Sequence, residues 1–262
     1  AMALTDHGNM FGIKEFFDYV DKKNSSQQKE IASIAKELEE LEASGTADAE
    51  ALELCRTRLD DAKTKIFKPI FGCEAYVAKQ TASNPNGSRL VREHKENGNG
   101  YHLILLAKNE KGYHNLCKMV SSSWIDGYYY RPRIDKELLE KYHEGIIVSS
   151  ACLAGEIPRA LNSGDYQKAM EALIWFKQLF GEDFYLELQR HQTDKPGGDR
   201  EVYENQKIVN EGILRLAKET NTKVIATNDV HFVEEEHGEA HDRLICLSTG
   251  KTVNEPNRMH YT

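Results

Sequence analysis

Aspartate, histidine, glutamate and cysteine recur in this chain beside short apolar runs, and these are side chains that bind metal ions and activate water. Thr5-Asp6-His7-Gly8 follows the run at residues 2–5, and Gly72-Cys73-Glu74 lies in the run around Ile70. Ser149-Ser150-Ala151-Cys152 ends the run at 145–150, and Gln189-Arg190-His191 follows the one at 184–188. Asn228-Asp229-Val230-His231 follows residues 223–227. Taken singly, a His or Asp after a strand is ordinarily a turn or cap residue. Five such exits in one chain carry more weight. Imidazole, carboxylate and thiolate are the donors that hold zinc, manganese and iron. A cluster of carboxylates and imidazoles suits two or three close metal ions that bind a phosphate and activate water. Asp229 and His231 form the sharpest pair, because residues two apart in an extended segment point the same way.

Such a cluster needs a scaffold that brings strand ends together. Residues 2–5 suit a short buried strand, and a helix follows over 10–23 with Phe11, Ile13, Phe16, Phe17 and Val20 on its apolar side. The segment 24–66 differs in character, being rich in Glu, Lys, Ala and Leu and free of aromatic residues. Ile31, Ile34, Leu38 and Leu41, then Leu52, Cys55, Leu59, Ala62 and Ile66, recur at heptad spacing on either side of Ser44-Gly45-Thr46. The pattern predicts an antiparallel helical hairpin inserted into the domain. It reads either as a docking arm or as a surface insertion of the kind loops tolerate cheaply.

Beyond it the chain alternates. Strands are expected at 69–77, 102–107, 145–150, 184–188 and 223–227, and helices at 110–124, 166–180 and 201–220, with a last one from near His237. The segment 78–100 is polar and rich in Asn and Gly, a loop. Alternation over this length argues for a parallel α/β barrel or doubly wound sheet. Barrel enzymes place their chemistry at the C-terminal ends of strands, so His102 stands awkwardly at the start of its own.

Bulk properties narrow the function. With 42 acidic and 34 basic residues the formal net charge is −8, so nucleic acid would not be held by bulk electrostatics. The five cysteines are odd in number and lack CxxC spacing, which excludes a disulfide framework and a structural zinc finger and fits reduced thiols in the cytoplasm. No apolar run approaches a membrane span, and the first residues do not read as a signal peptide. Ser/His/Asp elbows, P-loops and GxGxxG motifs do not occur. Cys73 and Cys117 read as small core residues. His237, His241 and His260 read as solvated, and nothing is assigned to His94, His114 or His143.

The segments 3–12 (ALTDHGNMFG), 72–77 (GCEAYV), 102–116 (HLILLAKNEKGYHNL), 149–157 (SSACLAGEI) and 227–232 (TNDVHF) together resemble the PHP (polymerase and histidinol phosphatase) family. Segments 128–135 (YYYRPRID), 184–192 (FYLELQRHQ) and 250–259 (GKTVNEPNRM) are similar to its branch in bacterial replicative DNA polymerases of the polymerase III alpha type. The resemblance implies a distorted (β/α)7 barrel holding two or three divalent metal ions. It assigns ligand roles to His7, Glu74, His102, Cys152, Asp229 and His231, with Asp229, His231 and Glu74 closest to the chemistry, and Asp6 and His191 as supporting or substrate-contacting groups. The family's opening His-x-His motif finds no match, so the expected barrel lacks its first strand. The implied activity is metal-dependent phosphoester hydrolysis, either 3′–5′ proofreading or small-ester phosphatase chemistry. A non-catalytic platform for a separate proofreading subunit is the remaining alternative. The implied partners are DNA and other replicase subunits, a sliding clamp among them.

Overall fold

The computed structural model describes residues 1–45, 48–92, 99–193, 200–255, 258 and 261. Seven strands form one curled sheet: β1 (Met2–Leu4), β2 (Pro69–Val77), β3 (Tyr101–Ala107), β4 (Arg133–Ile134), β5 (Ile146–Ser149), β6 (Phe184–Leu188) and β7 (Lys223–Ala226). Their order is β1-β2-β3-β5-β6-β7, with β4 beside β2. Among the described residues eight α-helices accompany them: α1 (Ile13–Ser44), α2 (Ala49–Thr64), α3 (Glu110–Ile125), α4 (Lys136–Tyr142), α5 (Glu156–Asn162), α6 (Tyr166–Phe180), α7 (Arg200–Thr220) and α8 (His237–Thr249). This is an α/β half-barrel of the expected class.

Within β2, alternation sorts the side chains. Cys73, Ala75 and Val77 enter the main core, with Leu103 and Leu105 of β3, Leu116 and Met119 of α3, and Phe176 of α6. Glu74 and Tyr76 therefore face the opposite side of the strand. Cys73 is indeed a core residue, whereas Cys117 is only half-buried.

The sheet departs from the all-parallel expectation at one strand. β3 runs antiparallel to both its neighbours, β2 and β5, while the pairs β1–β2, β2–β4, β5–β6 and β6–β7 are parallel. The polar segment after Val77 is thus a hairpin connection rather than a crossover. The reversal accounts for His102: the start of β3 lies at the same edge as the ends of the parallel strands.

A second departure concerns the helical arm. The helix expected at 10–23 and the first arm of the hairpin are one 32-residue helix, α1. Gly45 ends it in the left-handed conformation, and the Asp48 carboxylate caps α2 by accepting from the Ala51 N–H. Ile34, Cys55 and Ala62 form a small core of their own between the two helices, and Arg56–Glu42 and Arg58–Glu37 ion pairs flank it. Asn24, at the old boundary, does not break the helix. Its buried side chain accepts from Phe67 N (3.0 Å) and donates to Phe67 O (2.8 Å), fastening α1 to the chain entering β2.

Replacing Asn24 by Ala removes both bonds and leaves the Phe67 amide groups partly buried without partners. Urea unfolding should show a loss of about 1–3 kcal/mol. An unchanged midpoint would mean that the arm is not fastened through this residue.

Candidate metal centre

Glu74 sits near the middle of β2 and is 4% exposed. The chain past β1 pairs beside it: Glu74 N–H donates to Asp6 O (3.0 Å), and Gly8 N–H donates to Glu74 O (2.8 Å). This pairing presents His7, whose Nε2 lies 3.2 Å from Glu74 Oε2. Gly8 turns the chain at φ 67°, where a Cβ would stand 2.6 Å from Pro132 Cγ, so the turn requires glycine. The Asp6 carboxylate points elsewhere and accepts from the Gly12 N–H just before α1 (2.9 Å). It secures the turn that presents His7.

From the other side comes His102. It pairs with Tyr76 across the antiparallel ladder, which makes it a diagonal neighbour of Glu74 on the same face. Its Nδ1 lies 2.5 Å from Glu74 Oε1 and 3.4 Å from Cys152 Sγ. Glu74, His102 and Cys152 each offer one donor atom, all within 4.8 Å of one another. Cys152 follows Ala151, which holds φ 61° after β5.

The chain leaving β7 closes the group. Asp229 adopts φ 48° and His231 follows two residues on. The rings of His7 and His231 are 5.3 Å apart, and those of His7 and His102 6.1 Å. The structure thus brings Glu74, His102 and Cys152 within common reach of one another, with His7 against Glu74 and Asp229 and His231 lining the adjoining cleft. His191 stands beside the group, with both ring nitrogens engaged by Gln206 and the Asn228 carbonyl.

The electrostatics follow from burial and proximity. Burial acts to raise the Glu74 pKa, but hydrogen bonds from His102 and His7 outweigh it and hold the carboxyl at about 2. The same bond to Glu74 raises the His7 pKa against the effect of burial. Asp229 is pushed up by burial and by the charge of Glu74. Burial and Glu74 also push up the Cys152 thiol. Two like-charged carboxylates and a thiol in a poorly hydrated spot are an arrangement that a cation relieves. His231 Nε2 is buried without a hydrogen-bond partner among the described residues, which is unusual for a buried polar atom. The mixed oxygen, nitrogen and sulfur donors fit zinc, manganese or iron.

The site opens into a cleft of about 840 Å³ whose lining includes Arg131, Arg159 and Arg190, despite the acidic balance of the chain. Sequence reasoning missed one contributor. His241 was expected to be solvated, but it lines the cleft with its ring 5.8 Å from that of His231. Only its place on the inward side of α8 distinguishes it from His237, which is exposed. Tyr261 stacks on His231 at 3.8 Å. His94 and His260 lie outside the described residues, as do parts of segments 78–100 and 250–259.

Comparison with known proteins places these features in context. A family model described as "PHP domain" matches residues 1–191. The chain is 38% identical over 259 residues to DNA polymerase III subunit alpha of Borreliella burgdorferi, covering 98% of this chain and 17% of that protein. It is 36% identical over 272 residues to the subunit of Campylobacter jejuni of the same name, covering 100% of this chain and 18% of that protein. With the counterpart from Deinococcus radiodurans it shares 32% identity over 263 residues, covering 100% of this chain and 15% of that protein. The chain therefore spans less than a fifth of the length of these relatives.

Cobalt(II) bound with Cys152 as a ligand should give a near-ultraviolet thiolate charge-transfer band. Cys152→Ser should abolish that band while weaker visible cobalt bands persist. A band that survives the substitution would exclude Cys152 from the ligand set.

Proposed function

The chain belongs to the PHP domain family, and from that premise we propose that it is the metal-dependent phosphoesterase region of a DNA polymerase III alpha subunit, trimming 3′ ends of DNA as a proofreading exonuclease. One observation supports this: carboxylate, imidazole and thiol donors on β2 and β3 and just past the ends of β1, β5 and β7 meet beside a cleft whose lining includes three arginines. His7, Glu74, His102, Cys152, Asp229 and His231 would hold two or three ions of zinc, manganese or iron. Bound there, such ions supply an activated water and neutralise charge on the phosphoryl group.

The chain's own residues account for the rest. Glu74 remains ionised, so it can serve two neighbouring ligand positions at once. Asp229, half-buried and close enough to feel the charge of Glu74, would contribute the second carboxylate. Arg131, Arg159 and Arg190 offer planar donors that suit a phosphodiester backbone running along the cleft. Their placement gives the local positive charge that the overall balance denies. The whole protein would carry out DNA-directed DNA synthesis in the cytoplasm, with DNA, a sliding clamp and a proofreading subunit as partners. No helix among the described residues is long and apolar enough to cross a membrane.

The double substitution Asp229→Asn with His231→Ala should reduce metal-dependent release of nucleotides from single-stranded DNA by about 100-fold or more in the intact protein. Undiminished cleavage would refute the assignment. Metal binding without any cleavage by the unaltered protein would instead favour a scaffold that docks a separate proofreading subunit. Preference for a small phosphomonoester over DNA would favour a phosphatase.

A further inference from the structure

His191 follows β6 and lies on the wall of the cleft, where a metal ligand or substrate contact would be expected. Its hydrogen bonds point to a different role. The Gln206 Oε1 accepts from the His191 backbone N–H at 2.7 Å, which fixes the orientation of that amide. The Gln206 Nε2 then lies 3.0 Å from His191 Nδ1 and donates to it. On the other side of the ring, Nε2 lies 2.7 Å from the Asn228 carbonyl oxygen, which can only accept. The imidazole is therefore the neutral Nε2–H form, with neither nitrogen free to bind a metal ion. Gln206, on α7, is 2% exposed and gives the ring a rigid anchor.

The carbonyl that His191 holds belongs to the residue just before Asp229. Asp229 has φ 48°, a conformation that costs a non-glycine residue free energy and persists only where its surroundings hold it. The His231 Nδ1 in turn lies 2.7 Å from the Asp229 carbonyl oxygen, so the imidazole follows the Asp229 backbone. A separate buried network stops short of this segment. Glu187 accepts from Ser149 Oγ (2.5 Å), Gln189 Nε2 (2.9 Å) and Thr227 Oγ1, and so fixes the ends of β5, β6 and β7. Beyond Thr227, the His191 bond is the one hydrogen bond among the described residues that ties 228–231 to another element.

We propose that His191 is a positioning residue that, anchored by Gln206, clamps the Asn228 carbonyl and thereby sets Asp229 and His231 for divalent metal binding. The consequence for metal presupposes that Asp229 and His231 are ligands; the clamp itself does not.

Two readouts separate these. In the metal-free protein, NMR amide order parameters over 228–231 should fall from about 0.85 to below about 0.6 in His191→Ala, with β3 unaffected. His191→Gln, whose amide can donate to the same carbonyl, should keep the order parameters of the unaltered protein. In manganese(II) titrations, His191→Ala should weaken binding about 10–100-fold, with His191→Gln close to the unaltered protein. Unchanged order parameters in His191→Ala would overturn the clamp. A loss of manganese in His191→Gln as severe as in His191→Ala would overturn it in favour of direct ligation. If the unaltered protein takes up no manganese, the metal-site assignment fails, and the order parameters still decide whether the clamp exists.

Discussion

A carboxylate buried in the middle of a β-strand is costly unless positive or hydrogen-bonding groups surround it, and Glu74 imposes that requirement on this fold. It is 4% exposed, and each of its oxygens meets an imidazole. Each compensating group arrives by a distinct structural route. His7 is placed by the extension of the β1–β2 pairing past the end of β1, through a turn that requires Gly8. His102 is placed by the reversal of β3, which carries the start of that strand to the site. A fully parallel arrangement would put His102 at the far edge of the sheet, leaving Glu74 without one of its two partners.

The site is built from two halves with different supports. Glu74 and His102 stand on the paired strands β2 and β3, packed on the main core, and Cys152 lies in the turn just past β5. Asp229 and His231 belong to an exit segment in an unfavourable backbone conformation and depend on polar contacts reaching back to β6 and α7. Buried Glu187 ties together the ends of β5, β6 and β7, from which both halves leave, by collecting hydroxyl and amide donors. Such a network is strong only when each member is satisfied, which gives its uncharged members, Ser149, Thr227 and Gln189, roles as definite as those of the ligand candidates.

Much of this was legible in the sequence, for physical reasons that differ by element. The strands at 69–77 and 184–188 and the helix at 166–180 fall at the expected residues, because apolar runs and periodicity reach right to their ends. The two-residue β4 and the short helices α4 and α5 were not foreseen, being too brief to show a period. Asn24-Ser25-Ser26 looked like a helix boundary, but Asn24 turns its side chain to Phe67 and lets α1 continue. The direction of β3 was invisible, since strand polarity depends on how a connection returns rather than on the strand's own residues. The donor types that gather at the site could be read from the exits of the strands. The engagement of both His191 nitrogens could not, because Gln206 and Asn228 approach it from distant parts of the chain.

Whether Glu74 and its surrounding donors form a metal centre is tested most directly by elemental analysis of the purified protein after exhaustive desalting, with Glu74→Gln as the comparison. Two or more equivalents of zinc, manganese or iron in the unaltered protein, largely lost in Glu74→Gln, is the predicted result. No bound metal in the unaltered protein, or the same content in both, would contradict it.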